Sequence, residues 1–174
     1  MPEQDFPWGF PNQIRQQQNR AAKGNEFIHF SLRALAAASS LKSKRKWTRS
    51  LLEHPEDLGR TSRGEPASIW QLPDLRQAFG DTPCVTVAGH QCQFVGVDRS
   101  KPTRLYSDIL SIEKFGNKGW PRFDSRGWYL GPLPKRCGHN HKQKMIGRKK
   151  SGGFWTSPTA AYPPGMCRFL AMRI

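Results

Sequence analysis

The sequence predicts an α/β fold in which helices flank a short sheet. Apolar residues recur at helical spacing from Phe27 to Leu41, and short apolar or β-branched runs lie between turn-rich segments further on. Helical and extended patterns also alternate along the first two-thirds of the chain, the order expected of a sheet built with crossovers. The 174 residues suffice for one domain with a core. Mean hydropathy is −0.70, with 14 Pro and 16 Gly, so long irregular stretches are expected around that core. Six Trp and ten Phe supply apolar area that unstructured chains lack.

Taken in order, residues 1–24 read as an extended Pro and aromatic segment, because three prolines around Trp8 oppose a helix. Gln13–Lys23 is polar and compatible with helix, and Gly24-Asn25 reads as punctuation with Asn25 as an N-cap. A helix is predicted over 26–40 from Phe27, Ile28, Leu32, Leu35, Ala38 and Leu41. Lys42, Lys44, Arg45, Lys46 and Arg49 then surround Trp47, suiting either a helix C-terminus or a phosphate-lined surface.

Leu51-Leu52-Glu53-His54-Pro55 reads as a strand ending at a loop, with Glu53 at the rim, since Pro55 turns the chain out of the sheet. A short helix is predicted over 67–79 and strands over 82–89, 93–97 and 103–106, the last two forming an edge hairpin. Residues 25–110 thus form the expected core. From 111 to 157 an irregular basic and aromatic region follows, and 158–174 closes with a helix opened by Pro163-Pro164.

Charge is the strongest compositional signal. A formal charge of +15 and a pI near 10.3 favour a polyanionic partner, most simply nucleic acid. Residues 135–150 contain seven Lys or Arg and no acid. Lys101, Arg104, Lys142, Lys144, Arg148, Lys149 and Lys150 are the candidate phosphate contacts. No 18-residue apolar run or signal-type leader occurs, so no membrane span is expected. Four cysteines without a CxxC pair suggest thiols in a reducing compartment, hence an intracellular location with the nucleus included.

Cys137-x-His139-x-His141 places one thiol and two imidazoles together, the donor types zinc prefers. A fourth ligand would come from Cys92, His90 or Cys167. The chain has no G-x-S-x-G elbow, phosphate-binding loop or GxGxxG fingerprint.

The succession EHPEDLG, ASIWQLP, HQCQFVGVDRSKPTRLYSD, CGHNH and AAYPPGMCRFLA resembles S-adenosylmethionine-dependent cytosine-5 DNA methyltransferase domains, especially the divergent copies of dinoflagellate and mobile-element proteins. The likeness runs from Asp5 to Leu170 and covers the later two-thirds of such a domain. It implies a partial Rossmann-like sheet, with LLEHPEDLG as the fifth strand and its loop. Glu53 would then hold the flipped cytosine, with His54 where the family has Asn. Gln91 would match the first residue of the Gln-x-Arg-x-Arg motif, while Gln93 and Val95 replace its arginines. The family's Gly-rich cofactor loop and Pro-Pro-Cys nucleophile do not occur. The expectation is therefore a truncated or degenerate methyltransferase-like module, without catalysis or cofactor of its own, that binds nucleic acid in a salt-dependent way. The alternatives are a subunit completed in trans by a partner chain that brings S-adenosylmethionine, and a basic, zinc-stabilised nucleic-acid-binding module.

Overall fold

The computed structural model describes residues 8, 12–42, 48–62, 64–94, 99–134, 136–141 and 161–173. They fall into two compact units that interleave along the chain. One comprises Met1–Ser50, Asp57–Cys84 and Trp120–Leu130, the other Leu51–Glu56, Val85–Gly119 and Gly131–Ile174.

The first unit is led by α1 (Arg15–Lys42), longer at its start than the predicted 26–40. Gln and Arg are good helix formers, and Gly24 costs only about 1 kcal/mol against Ala, so the polar segment continues the helix. Asn25 does not cap it; the side-chain amide instead donates to the Trp8 carbonyl at 2.8 Å, and Trp8 stacks on His29. Ile28, Leu32, Leu35 and Ser39 form the inward face, and Ser39 Oγ donates to the Phe79 carbonyl at 3.0 Å. The predicted helix over 67–79 splits at Pro73. A 3₁₀ turn, Ile69–Gln71, is capped by Ser68 Oγ, and Pro73 then opens α2 (Pro73–Gln77) from its first position.

The second unit holds a four-stranded sheet of β1 (Leu51–Pro55), β2 (Val85–His90), β3 (Pro102–Ser107) and β4 (Asn117–Lys118), ordered β1-β3-β2-β4. All neighbours pair antiparallel, which corrects the expected parallel, crossover-built sheet. Because β3 is antiparallel to both β1 and β2, those two strands run the same way with a reversed strand between them. The hairpin partner of β3 is β2, one segment earlier than predicted. Gln91–Gln93 is a 3₁₀ turn, not the start of a strand, and 95–98 lie outside the described residues.

Register sets the two faces. Val87 stands opposite Leu105, and both join Ile109, Ile112, Phe115 and Met166 in the core. Arg104 and Thr86 point to the other face. Residues 111–131, expected to be irregular, contain most of a 3₁₀ segment (Leu110–Phe115), β4 and the two-stranded pair of β5 (Arg122–Phe123) and β6 (Tyr129–Gly131). The closing helix is α3 (Pro164–Ala171), with a proline at its start as expected. Its Met166 and Phe169 pack onto the core of the sheet. Gly89 is required by packing: a Cβ there would lie 2.8 Å from the Phe115 ring. That approach fixes the end of β2, where the candidate site begins.

Candidate metal centre

β2 ends at His90, and the chain turns at once through Gln91, Cys92 and Gln93. The turn is tied down on both sides. Gln91 N donates to the Lys101 carbonyl at 3.0 Å, and its side-chain amide reaches Thr103 Oγ1 at 3.0 Å. Gln93 Nε2 donates to the Phe115 carbonyl at 2.6 Å. Cys92 is thereby held buried between two anchored amides. Gln91, which the resemblance matched to the first residue of the Gln-x-Arg-x-Arg motif, anchors this turn.

The segment after Leu133 brings Cys137, His139 and His141 to Cys92. Cys92 Sγ lies 3.5 Å from His139 Nδ1, and Cys137 Sγ lies 2.9 Å from His141 Nε2. All four ligand atoms fall within 4.8 Å of one another. Around a tetrahedral zinc with bonds of about 2.0–2.3 Å, neighbouring donors stand roughly 3.3–3.8 Å apart. The four atoms are therefore within a few tenths of an ångström to one ångström of a metal-binding arrangement. Two thiols with two imidazoles is also a donor set that zinc accepts in structural sites. Of the three candidates for a fourth ligand, Cys92 is the one brought into place. Cys167 sits exposed on α3, and no disulfide joins any of the four cysteines.

The electrostatics of the two sulfurs diverge. Burial first, then the hydrogen bond with Cys137, pushes the Cys92 thiol up to about 11. Burial also acts to raise Cys137, but hydrogen bonds from the His139 backbone, His141, Cys92 and Ser100 outweigh it and hold that thiol at about 6. The two sulfurs are thus shifted in opposite directions, and a bound cation would favour the thiolate of both.

An outer layer lies behind the sulfurs. Ser100 stands 2.9 Å from His90 Nδ1 and acts to lower both thiols. His90 is held below the usual imidazole value by burial foremost, with the Pro134 backbone acting against it and His141 and His139 adding repulsion. Its Nε2 is buried without a hydrogen-bond partner among the described residues. Such outer contacts orient metal ligands. Sequence reading missed Ser100, since a lone serine in a turn carries no signal. A cavity of about 170 Å³ opens beside the cluster, with His90, Gln93, Cys137 and His139 on its wall.

The other predicted site residues do not converge here. Arg104 is not a phosphate contact: its side chain is 0% exposed. Its Nε and Nη2 bind the Glu56 carboxylate at 2.6 and 2.7 Å, and Nη1 binds Thr86 Oγ1 and the Gly119 carbonyl. Lys101 lies half-buried with its ammonium 5.7 Å from the centre of the Tyr162 ring. Glu53 lies in the middle of the edge strand β1, opposite Leu105, and not at the expected loop rim, because Pro55 stays paired with Thr103. It accepts a 2.6 Å hydrogen bond from the Tyr162 hydroxyl, while its Oε1 is buried without a hydrogen-bond partner among the described residues. Burial and then Glu53 push the Tyr162 phenol up to about 12. His54 Nδ1 stays beside its own strand, 3.2 Å from the Pro55 carbonyl. Lys142, Lys144, Arg148, Lys149 and Lys150 lie outside the described residues.

No helix among the described residues is long and apolar enough to cross a membrane. No protein-family model, curated protein or solved structure matches the chain.

Proposed function

We propose that the chain is a basic nucleic-acid-binding module in which Cys92, Cys137, His139 and His141 hold one zinc ion. The observation that carries this reading is the meeting of those four donor atoms within 4.8 Å, from two segments far apart in sequence. The position of the site supports the binding half. Five of the nine residues that follow His141 are Lys or Arg, none is acidic, and the chain as a whole carries +15. A cation that fixes Cys137–His141 against the end of β2 would anchor the start of this basic tract. The tract would then meet phosphates from a fixed origin, with less ordering entropy lost on binding.

The test has two arms. Metal analysis of purified protein is expected to give one zinc per chain, and none after Cys92→Ser with Cys137→Ser. Fluorescence anisotropy with a labelled oligonucleotide is expected to show affinity falling with salt. About five phosphate contacts would give a log–log slope near −3.5 to −4.5. Chelation should weaken that binding. Metal-free native protein, or binding indifferent to salt, would overturn the reading.

A second reading keeps the likeness to cytosine-5 methyltransferases. It is favoured by Glu53, which lies on a strand at the edge of the sheet with one carboxylate oxygen unmatched. On that reading the chain is a degenerate methyltransferase-like module, or a subunit completed in trans. Isothermal titration with S-adenosylmethionine separates the two forms: the lone chain should show no saturable binding, and a partner chain should restore it.

A further inference from the structure

Helix α1 has two apolar faces, and among the described residues only one of them is covered. Ile28, Leu32, Leu35 and Ser39 turn inward, whereas Phe27, Phe30, Ala34, Ala37 and Leu41 are exposed. Phe27 is 66% exposed, Phe30 63% and Leu41 47%. Isolated exposed apolar residues need no explanation. These five, however, follow one another in steps of three, four, three and four, the spacing that presents a continuous seam to another helix.

We propose that this seam docks a second copy of the chain, the two α1 helices packing antiparallel about a two-fold axis. The order of side-chain sizes along the seam argues for that occupant. Both rings lie toward the N-terminal end and both alanines follow them. Turning a second copy around sets Phe27 against Ala37, Phe30 against Ala34, and the reciprocal pairs likewise. Every ring then meets a methyl group, and all four layers have the same width. A parallel, in-register pair stacks ring on ring and methyl on methyl, so the layers differ in width and voids open at the alanines. The same five residues supply both the projections and the hollows, as a two-fold interface requires.

The size of the surface sets the strength. Each ring has on the order of 100–150 Å² to lose. With the alanines and Leu41 the pair buries on the order of 700–1,000 Å², within the range of weak, reversible associations. Charge opposes the pairing: Arg33 flanks the seam close to the axis and faces its own copy, and Lys23, one step before Phe27 in the same series, stands against Leu41 of the other copy. Screening relieves that repulsion, so self-association strengthens with salt.

Sedimentation velocity on the full chain, under reducing conditions and without nucleic acid, tests the proposal. Between about 5 and 500 µM a monomer–dimer equilibrium is expected, tighter at 0.5 M than at 0.1 M salt. Ala34→Phe sets ring against ring and should weaken the dimer at least tenfold. Phe30→Ala added to it restores the match of large to small and should recover the affinity to within about threefold. These positions face solvent in the monomer, and unchanged helical circular dichroism would show that the variants fold. A wild-type chain that stays monomeric, association that ignores Ala34→Phe, or growth beyond the dimer would each overturn the proposal.

Discussion

Two polar clusters in the sheet unit treat their charges in opposite ways. Between β3 and the residue after β1, Arg104 and Glu56 meet in a two-pronged ion pair with 0% exposure of either side chain. Thr86 and the Gly119 carbonyl take a further guanidinium nitrogen. At the end of β2, Cys92, Cys137, His139 and His141 also converge, but their protons and charges do not balance. Two sulfurs share contacts yet are driven apart, to about 11 and about 6. The contrast separates polar groups that complete one another from a Cys and His cluster that could hold a metal ion. The first arrangement fixes a fold; the second can bind.

The sharpest way to break the comparison is to unbalance the closed cluster. Glu56→Gln leaves the Arg104 charge buried without its carboxylate, and a loss of about 3–5 kcal/mol is expected in urea unfolding. Replacing both residues with apolar ones, Glu56→Leu with Arg104→Met, should return much of that stability. A Glu56→Gln variant as stable as the wild type would show that the pair is not the closed unit described.

The open cluster should respond to metal instead. With zinc at a hundred times its Kd, chelation is expected to remove about 3 kcal/mol of unfolding free energy from the native chain. In Cys92→Ser/Cys137→Ser, chelation should change nothing. Ser100→Ala tests the outer layer: zinc affinity measured against a competing chelator should fall about tenfold. An unchanged affinity would leave Ser100 a mere neighbour.

The pair of Glu53 and Tyr162 lies between these extremes, with one carboxylate oxygen matched and the other not. Tyr162→Phe is expected to cost about 1 kcal/mol. The pH dependence follows from the phenol being pushed up to about 12 by burial and then by Glu53. The protonated phenol is favoured in the folded state, so its contribution is whole below the unfolded value of about 10 and is lost as pH rises through 12. Ultraviolet absorbance should show a phenol that ionises near 12, and Tyr162→Phe should remove that step.

Much of this contrast was hidden in the sequence for a physical reason. Cys137, His139 and His141 announce themselves because their ligand atoms are local in the chain, and Cys92 was one of three named candidates to complete them. Arg104 stands in PTRLYS with no acid beside it and reads as a surface cation. The partner that buries it, Glu56, lies 48 positions away. Strand β1 and helix α3 were legible from apolar runs and prolines. The turn at Gln91–Gln93 was not, because it is made by two side-chain amides that bond to residues in β3 and after Ile112. The antiparallel order of the sheet was equally invisible, since helix–strand alternation does not reveal that β3 inserts between β1 and β2.

X-ray absorption at the zinc edge of the purified chain probes the open cluster most directly. The geometry requires two sulfur neighbours at about 2.3 Å and two nitrogen neighbours at about 2.0–2.1 Å, with one sulfur lost in Cys92→Ser. A shell of oxygen and nitrogen alone, or a sulfur count that Cys92→Ser leaves intact, would contradict the assignment of these four residues to one metal.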